Sequence, residues 1–281
     1  MSVPCDRISL LRDEATGVEA IRARFAAHAY DLHRHDDWLI GITDHGVQDF
    51  YCRRSRQRST PGRVILIEPG EAHDGQAGAP GGFAYSMVYL PQRWLRLQTA
   101  EAIGRDPGFT DCLHDNPVLG AAIRSACAAL LRKSERLVLD AALDRILYGV
   151  SPYLGSRARR SPARRDDRVA LRALERLQDD IAVDHGADAL ARAAGAANRF
   201  ELARAFRTAY GTSPHAYLVQ IRLLRARQLL AAGEPPSSVA AACGFADQSH
   251  LGRRFRGAYG VTPGAYRALC TNVPDGSARI A

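Results

Sequence analysis

The sequence is almost without lysine: of its 38 basic residues only Lys133 is not arginine. A GC-rich genome would favour that skew through its codons. Even so, it leaves a chain whose cations are planar, five-donor forks suited to phosphate and guanine edges. The six cysteines (Cys5, Cys52, Cys112, Cys127, Cys243, Cys270) contain no CxxC pair and no regular spacing. That excludes a zinc knuckle and a disulfide framework, and makes a reduced, cytoplasmic protein the expectation. No apolar run approaches the roughly 20 residues that span a bilayer, so no membrane partner is expected. The opening MSVPCDRISLLRDEATG lacks a basic-then-apolar export pattern. Neither a Ser/His/Asp or Cys/His nucleophile set nor a phosphate-binding glycine loop can be picked out. The expectation is therefore a protein that is not an enzyme, with no catalytic residue and no cofactor.

What is present is an ordinary globular balance, 46% hydrophobic and 24% charged, over 281 residues, a length that favours two domains. The net charge of +8 is unevenly placed. Residues 1–155 hold 18 basic and 19 acidic side chains, whereas residues 156–281 hold 20 and 11. Codon bias does not explain that asymmetry; a nucleic-acid partner for the second half does.

From about Phe25 to Leu90 short extended runs alternate with turn residues. Trp38–Thr43 and Val47–Cys52 flank Asp44-His45-Gly46 and read as a hairpin, Val64–Ile67 is closed by Glu68-Pro69-Gly70, and Phe83–Leu90 follows a Gly/Ala/Pro loop at 75–82. This spacing predicts an all-β sandwich or barrel. After Pro91 the period becomes helical over 91–103, 117–133 and 135–149. The apolar faces of those helices need cover, either from the chain's own strands or from a second subunit. Ser156 to Arg168, with six arginines and no apolar period, reads as a solvated linker.

The basic half carries a repeat at an offset of 49 residues. Leu190, Gly195, Asn198, Leu202, Arg204, Phe206, Arg207, Tyr210, Gly211, Pro214 and Tyr217 recur as Val239, Gly244, Asp247, Leu251, Arg253, Phe255, Arg256, Tyr259, Gly260, Pro263 and Tyr266. One supersecondary unit is present twice. In each copy a short helix (188–194, 237–243) ends at a glycine suited to a left-handed cap. Asn198 or Asp247 then caps a second helix, on which residues at i, i+4 and i+8 form the buried stripe and the arginines lie off it. Helix, tight turn, helix with exposed arginines is the helix-turn-helix arrangement, whose second helix enters the major groove.

The run Gly244-Phe245-Ala246-Asp247-Gln248-Ser249-His250-Leu251, with Arg253, Phe255-Arg256, Tyr259-Gly260-Val261-Thr262-Pro263 and Tyr266-Arg267, resembles the signature of the AraC/XylS family of bacterial transcription regulators, and Phe200 to Tyr217 is similar. The resemblance covers roughly residues 168–270. It implies two helix-turn-helix subdomains joined by a helix at about 215–231, with recognition helices in successive major grooves about 34 Å apart. The family's base-reading positions fall on Arg199, Phe200, Ala203 and Arg204, and on Gln248, Ser249, His250 and Arg253. Arg207, Arg254 and Arg256 are placed for phosphates. Phe200 has a core reading beside the base-reading one, and His250 a spectator reading. Gly252 stands where the family usually has Ser or Thr, and Glu201 adds a negative charge near the groove.

In the first half, His33-Arg34-His35 and the run from Gly62 through Gly70 to His73 are similar to the two cupin motifs, and the ligand-binding half of many AraC-family members is such a barrel. Metal-binding cupins add a Glu three or four residues after the HxH, where this chain has Leu39 and Ile40. The resemblance thus implies an effector pocket drawn from His33, His35, Trp38, His73, Tyr85 and Met87. A metal held by His33, His35 and His73, or histidines that only hydrogen-bond, are the other two readings. The expected fold is α+β multidomain: a cupin-like β-barrel with appended helices (1–155), a basic linker (156–167), an all-α tandem helix-turn-helix domain (168–271) and a tail (272–281). The expected function is sequence-specific control of transcription, as an activator, by a small-molecule effector. Double-stranded DNA, RNA polymerase and a second copy of the chain are its partners. The alternative is a metal-dependent cupin enzyme fused to a DNA-binding module.

Overall fold

The computed structural model describes residues 6–26, 28–99, 107–156, 165–271 and 278–279. Most of the basic linker, most of the tail and Cys5 lie outside them. The chain forms two compact units, Met1–Arg157 together with Arg256–Ala281, and Ala158–Phe255.

In the first unit nine strands come first: β1 (Arg7–Arg12), β2 (Glu19–Phe25), β3 (Tyr30–His33), β4 (Asp37–Gly46), β5 (Gln48–Cys52), β6 (Ser55–Ser59), β7 (Arg63–Ile67), β8 (His73–Ala77) and β9 (Phe83–Pro91). Then follow α1 (Gln92–Thr99), β10 (Pro107–Phe109), β11 (Leu113–Asp115), α2 (Pro117–Leu131), α3 (Arg136–Val150) and β12 (Leu154–Ser156). The larger sheet runs β11-β7-β4-β9-β2-β1, with Ala278–Arg279 (β13) on its β1 edge, and the smaller runs β3-β8-β5-β6.

Two-residue alternation decides what each face of the larger sheet meets. Along β4, Trp38, Ile40 and Ile42 point to the helices and share one core with Val88, Leu119, Ile123, Leu143 and Ile146. The intervening Leu39, Gly41 and Thr43 are buried on the opposite side. The helices at 117–131 and 136–150 therefore cover their own sheet, as one of the two sequence readings held. They still leave Val118, Leu137 and Tyr148 about 77–85% exposed. Asn116 caps α2 by accepting from Leu119 N at 2.9 Å.

The expected hairpin at Asp44–Gly46 is not formed. β4 pairs with β7 and β9, whereas β5 pairs with β6 and β8, so the chain changes sheets there. Gly46 has φ +68°, and a Cβ there would lie 2.1 Å from the Gly82 carbonyl oxygen, so this glycine makes a corner rather than a two-residue turn.

The second unit contains α4 (Arg165–Asp179), α5 (Ala187–Ala194), α6 (Arg199–Tyr210), α7 (Pro214–Ala231), α8 (Pro236–Ala242) and most of α9 (Gln248–Tyr259); the end of α9 and α10 (Pro263–Thr271) belong to the first. Val169, Ala173 and Leu177 of α4, Leu190 and Ala194 of α5, Leu202 and Phe206 of α6 and Leu218 of α7 make a single core. From α7 the buried Arg222 donates to the carbonyls of Ile181, Ala182 and Val183 at 2.6, 3.3 and 3.1 Å. Those contacts fix the loop before α5. Gly244, at φ +73°, ends the α8 turn, and a Cβ there would lie 2.5 Å from the Ala182 carbonyl oxygen. Gly244→Ala is expected to lower stability by about 2 kcal/mol, read as a reduced melting temperature of the full chain; an unchanged melt would show that this close approach is dispensable. Among the described residues no helix is long and apolar enough to cross a membrane.

Candidate functional site

Two helices, α6 and α9, carry the residues expected to face DNA. α6 opens on Asn198, whose side-chain oxygen accepts from Phe200 N and Glu201 N at 3.0 and 2.9 Å. Glu201 reaches back to the backbone N–H of Ala197, so its carboxylate completes a reciprocal cap at the helix start. Leu202, Ala205 and Phe206 are buried, whereas Arg199, Phe200, Arg204 and Arg207 are exposed. Phe200 is 71% exposed, which removes its core reading, and the Arg199 guanidinium sits 5.1 Å from its ring centre. Phe200, Ala203, Arg204 and Arg207 line one shallow concavity of about 570 Å³.

α9 repeats the construction. Asp247 accepts from His250 N at 2.6 Å, Leu251 and Phe255 are buried, and Gln248, Ser249, Arg253 and Arg254 are exposed. His250 is half-buried, its ring edge-on to Phe245 at 5.4 Å, and burial with the nearby Arg254 and Arg253 lowers its pKa. That packing moves it toward the spectator reading. Arg256 differs from its repeat mate Arg207: its charge acts on His28, which Asp6 and Asp31 also influence, and the next residue, Gly257, abuts the Asp31 carboxylate.

The second group of residues lies in the first unit. β3 and β8 set His33 directly opposite His73, and His35 follows after the strand. All three are buried, and one ring nitrogen from each lies within 4.8 Å of the others. A carbonyl can only accept, so His33 Nδ1 donates to Asp31 O at 2.6 Å and His73 Nδ1 to Glu71 O at 3.0 Å. In the neutral rings the Nε2 atoms are left as acceptors, and His33 Nε2 meets His35 Nε2 at 3.0 Å. Burial lowers the His73 pKa to about 4, so the ring is neutral at pH 7. Around the trio stand Tyr89 (5.0 Å from the His35 ring) and Tyr30 (5.9 Å from His33), with Tyr30 OH hydrogen-bonded to Tyr85 OH at 2.7 Å. Burial pushes the Tyr85 phenol up to about 12. Met87 lies over Gly41 on the same side of the sheet.

Trp38 does not join this group. It packs edge-on against Phe109 at 5.0 Å in the core beneath the helices. The reason is parity, since Trp38 and Leu39 must face opposite sides of β4. The three imidazoles match three of the four cupin metal positions. The fourth is apolar here, no carboxylate among the described residues belongs to the group, and His33 and His35 are already engaged with each other, so the fit to a metal is incomplete.

Sequence reasoning missed Tyr259. At the end of α9 its ring lies 5.7 Å from His33 and 5.4 Å from His35. Nearby, Tyr266 OH of α10 donates to the buried Glu19 at 3.0 Å, and Arg12 holds the same carboxylate oxygen at 2.8 Å. The helical period marked Tyr259 as a stripe residue and the repeat included Tyr266, and nothing in either pointed to partners more than 200 residues away.

A repeated helix-turn-helix with exposed arginines, on a chain that also holds a double-sheet domain with a buried polar cluster, defines a DNA-binding transcription regulator with a ligand-binding domain. That class is not normally enzymatic. Residues 15–147 match the family described as AraC-like ligand binding domain, and residues 190–269 match the family described as Helix-turn-helix domain. The chain belongs to the AraC family of regulators. A search of curated proteins finds no match. Among solved structures it is similar to ToxT from Vibrio cholerae, at 13% identity and a TM-score of 0.54 over 95% of this chain and 98% of that one. It is also similar to unsaturated fatty acid bound ToxT, at 13% identity and a TM-score of 0.56 over 96% of each chain. An AraC-type regulator from Chromobacterium violaceum matches at 30% identity over 37% of this chain and 93% of its own, with a TM-score of 0.35.

Proposed function

We propose that the chain is a cytoplasmic, effector-controlled regulator that reads an asymmetric DNA site with α6 and α9. The observation that carries this reading is the division of both helices into a buried stripe and an exposed set: Arg199, Phe200 and Arg204, with the half-buried Ala203 beside them, on the first, and Gln248, Ser249 and Arg253 on the second. The exposed set offers guanidinium forks for guanine and an amide for adenine. Arg207 and Arg254, exposed beside them, are the phosphate anchors. On this reading residues 1–155 bind the effector, 156–167 link, 168–271 bind DNA, and the exposed Val118, Leu137 and Tyr148 belong to a dimer contact. RNA polymerase is the remaining partner.

The effector site is the buried group around His33, His35, His73, Tyr85 and Met87. ToxT has been solved with an unsaturated fatty acid bound, so the fold accommodates a small molecule. A ligand that hydrogen-bonds the imidazoles would bear on Tyr259, the last residue of the helix carrying Gln248 and Arg253. Its differential affinity for two arrangements of that helix end is what would change DNA engagement.

Selection of random duplexes by the purified full chain tests the DNA half. The expected product is one bipartite motif with half-sites about 10–10.5 bp apart. Uniform recovery of unrelated sequences would mean a nucleoid-type binder instead.

A further inference from the structure

We infer that the first unit carries a second binding site, for a small phosphorylated anion, on the part of the larger sheet that α2 leaves uncovered. The register of the sheet builds it. β1 and β2 pair Arg7 with Arg24 and Ser9 with Arg22, and β2 and β9 pair Arg22 with Ser86. Two-residue alternation puts Arg22 and Arg24 on the face that, further along β2, buries Ala20 beneath the helices. Beyond that cover the same face lines a cleft of about 520 Å³ with Arg7, Ser9, Arg22, Arg24, Ser86 and Arg124.

The charges in the cleft do not balance. Its one carboxylate among the described residues, Asp44, is engaged by Arg124 Nε at 2.7 Å and by the Ser86 hydroxyl at 2.6 Å. Arg22 Nη2 donates to the Arg124 carbonyl at 3.2 Å, which leaves its charge uncompensated. Arg7 and Arg24, directly opposite each other, have no ion-pair partner among the described residues. Like charges facing across a strand pair oppose the sheet that carries them, so this pairing suits an anion that bridges the two forks. A phosphate group offers three oxygens to guanidinium forks, which bind it bidentately. The volume exceeds one phosphate and falls within the 300–1,000 Å³ usual for small-molecule sites. The ligand class is therefore a phosphorylated metabolite rather than a bare ion.

The probe is inorganic pyrophosphate, titrated calorimetrically into the full chain at low salt. One saturable site is expected, weakened at least tenfold in R7Q/R24Q and unchanged in R204Q/R253Q, whose arginines lie on α6 and α9. Both arginines of the cleft pair are exposed, so R7Q/R24Q should fold, which its melting curve checks. Equal binding by wild type and R7Q/R24Q, loss confined to R204Q/R253Q, or no saturable binding would each overturn the inference. So would R7Q/R24Q weakening DNA binding while leaving pyrophosphate binding intact, because the cleft would then serve nucleic acid.

Discussion

Replacing Arg253 by alanine is expected to lower affinity for the preferred DNA site about ten- to a hundredfold while leaving affinity for unrelated DNA nearly unchanged. Arg253 stands exposed on α9, off the stripe that buries Leu251 and Phe255, and the capped helix start presents Gln248 and Ser249 beside it. A bidentate arginine–guanine pair is worth about 1–3 kcal/mol of discrimination, and about 1.4 kcal/mol is tenfold in affinity. Arg254 provides the contrast. It is equally exposed, and as a phosphate contact its loss should weaken binding to every duplex alike and reduce the salt slope by about 1. Competition binding against specific and scrambled duplexes at two salt concentrations separates the two roles. If both variants affected all sequences equally, the division of α9 into a reading residue and an anchoring residue would be wrong.

The DNA half was the more legible because its information is local and stated twice. Asn198 and Asp247, Gly195 and Gly244, and the stripes at four-residue spacing each act within one or two helical turns, so a helix-turn-helix can be read from the order of residues alone. Single side chains were less legible where tertiary neighbours compete. Glu201 turned out to cap its own helix, and His250 to lean on Phe245. In the first half the strands at Val64–Ile67 and Phe83–Leu90 were plain, being apolar and β-branched or aromatic. By contrast β8, the run HDGQA, carries no such residue and was absorbed into a loop. The pairing of His33 with His73 depends on that strand, so their juxtaposition followed from the cupin resemblance rather than from periodicity. Trp38 shows the converse limit. Its nearness in sequence to His35 suggested a shared pocket, and the parity of β4 placed it on the other face.

The first unit is expected to lose about 2 kcal/mol of stability between pH 7 and pH 5, with His73 as the source. Burial lowers the pKa of this imidazole to about 4, and the neighbouring Arg34 guanidinium adds to the effect, while the bond to the Glu71 carbonyl and the Asp74 carboxylate oppose it. In the unfolded chain the same group titrates near 6.5. Between these values the unfolded state binds more protons, so stability rises with pH in that window. It is fully present above about 6.5 and is lost as pH falls toward about 4, in total about 3 kcal/mol at 1.36 kcal/mol per unit. Trp38 and Trp94, the chain's two tryptophans, both belong to the first unit, so urea unfolding followed by their fluorescence at pH 5 and pH 7 reports on the right region. H73Q keeps a hydrogen-bonding side chain that does not titrate, and the difference between the two pH values should shrink by about 2 kcal/mol in that variant. An undiminished difference would show that His73 titrates alike in the folded and unfolded protein.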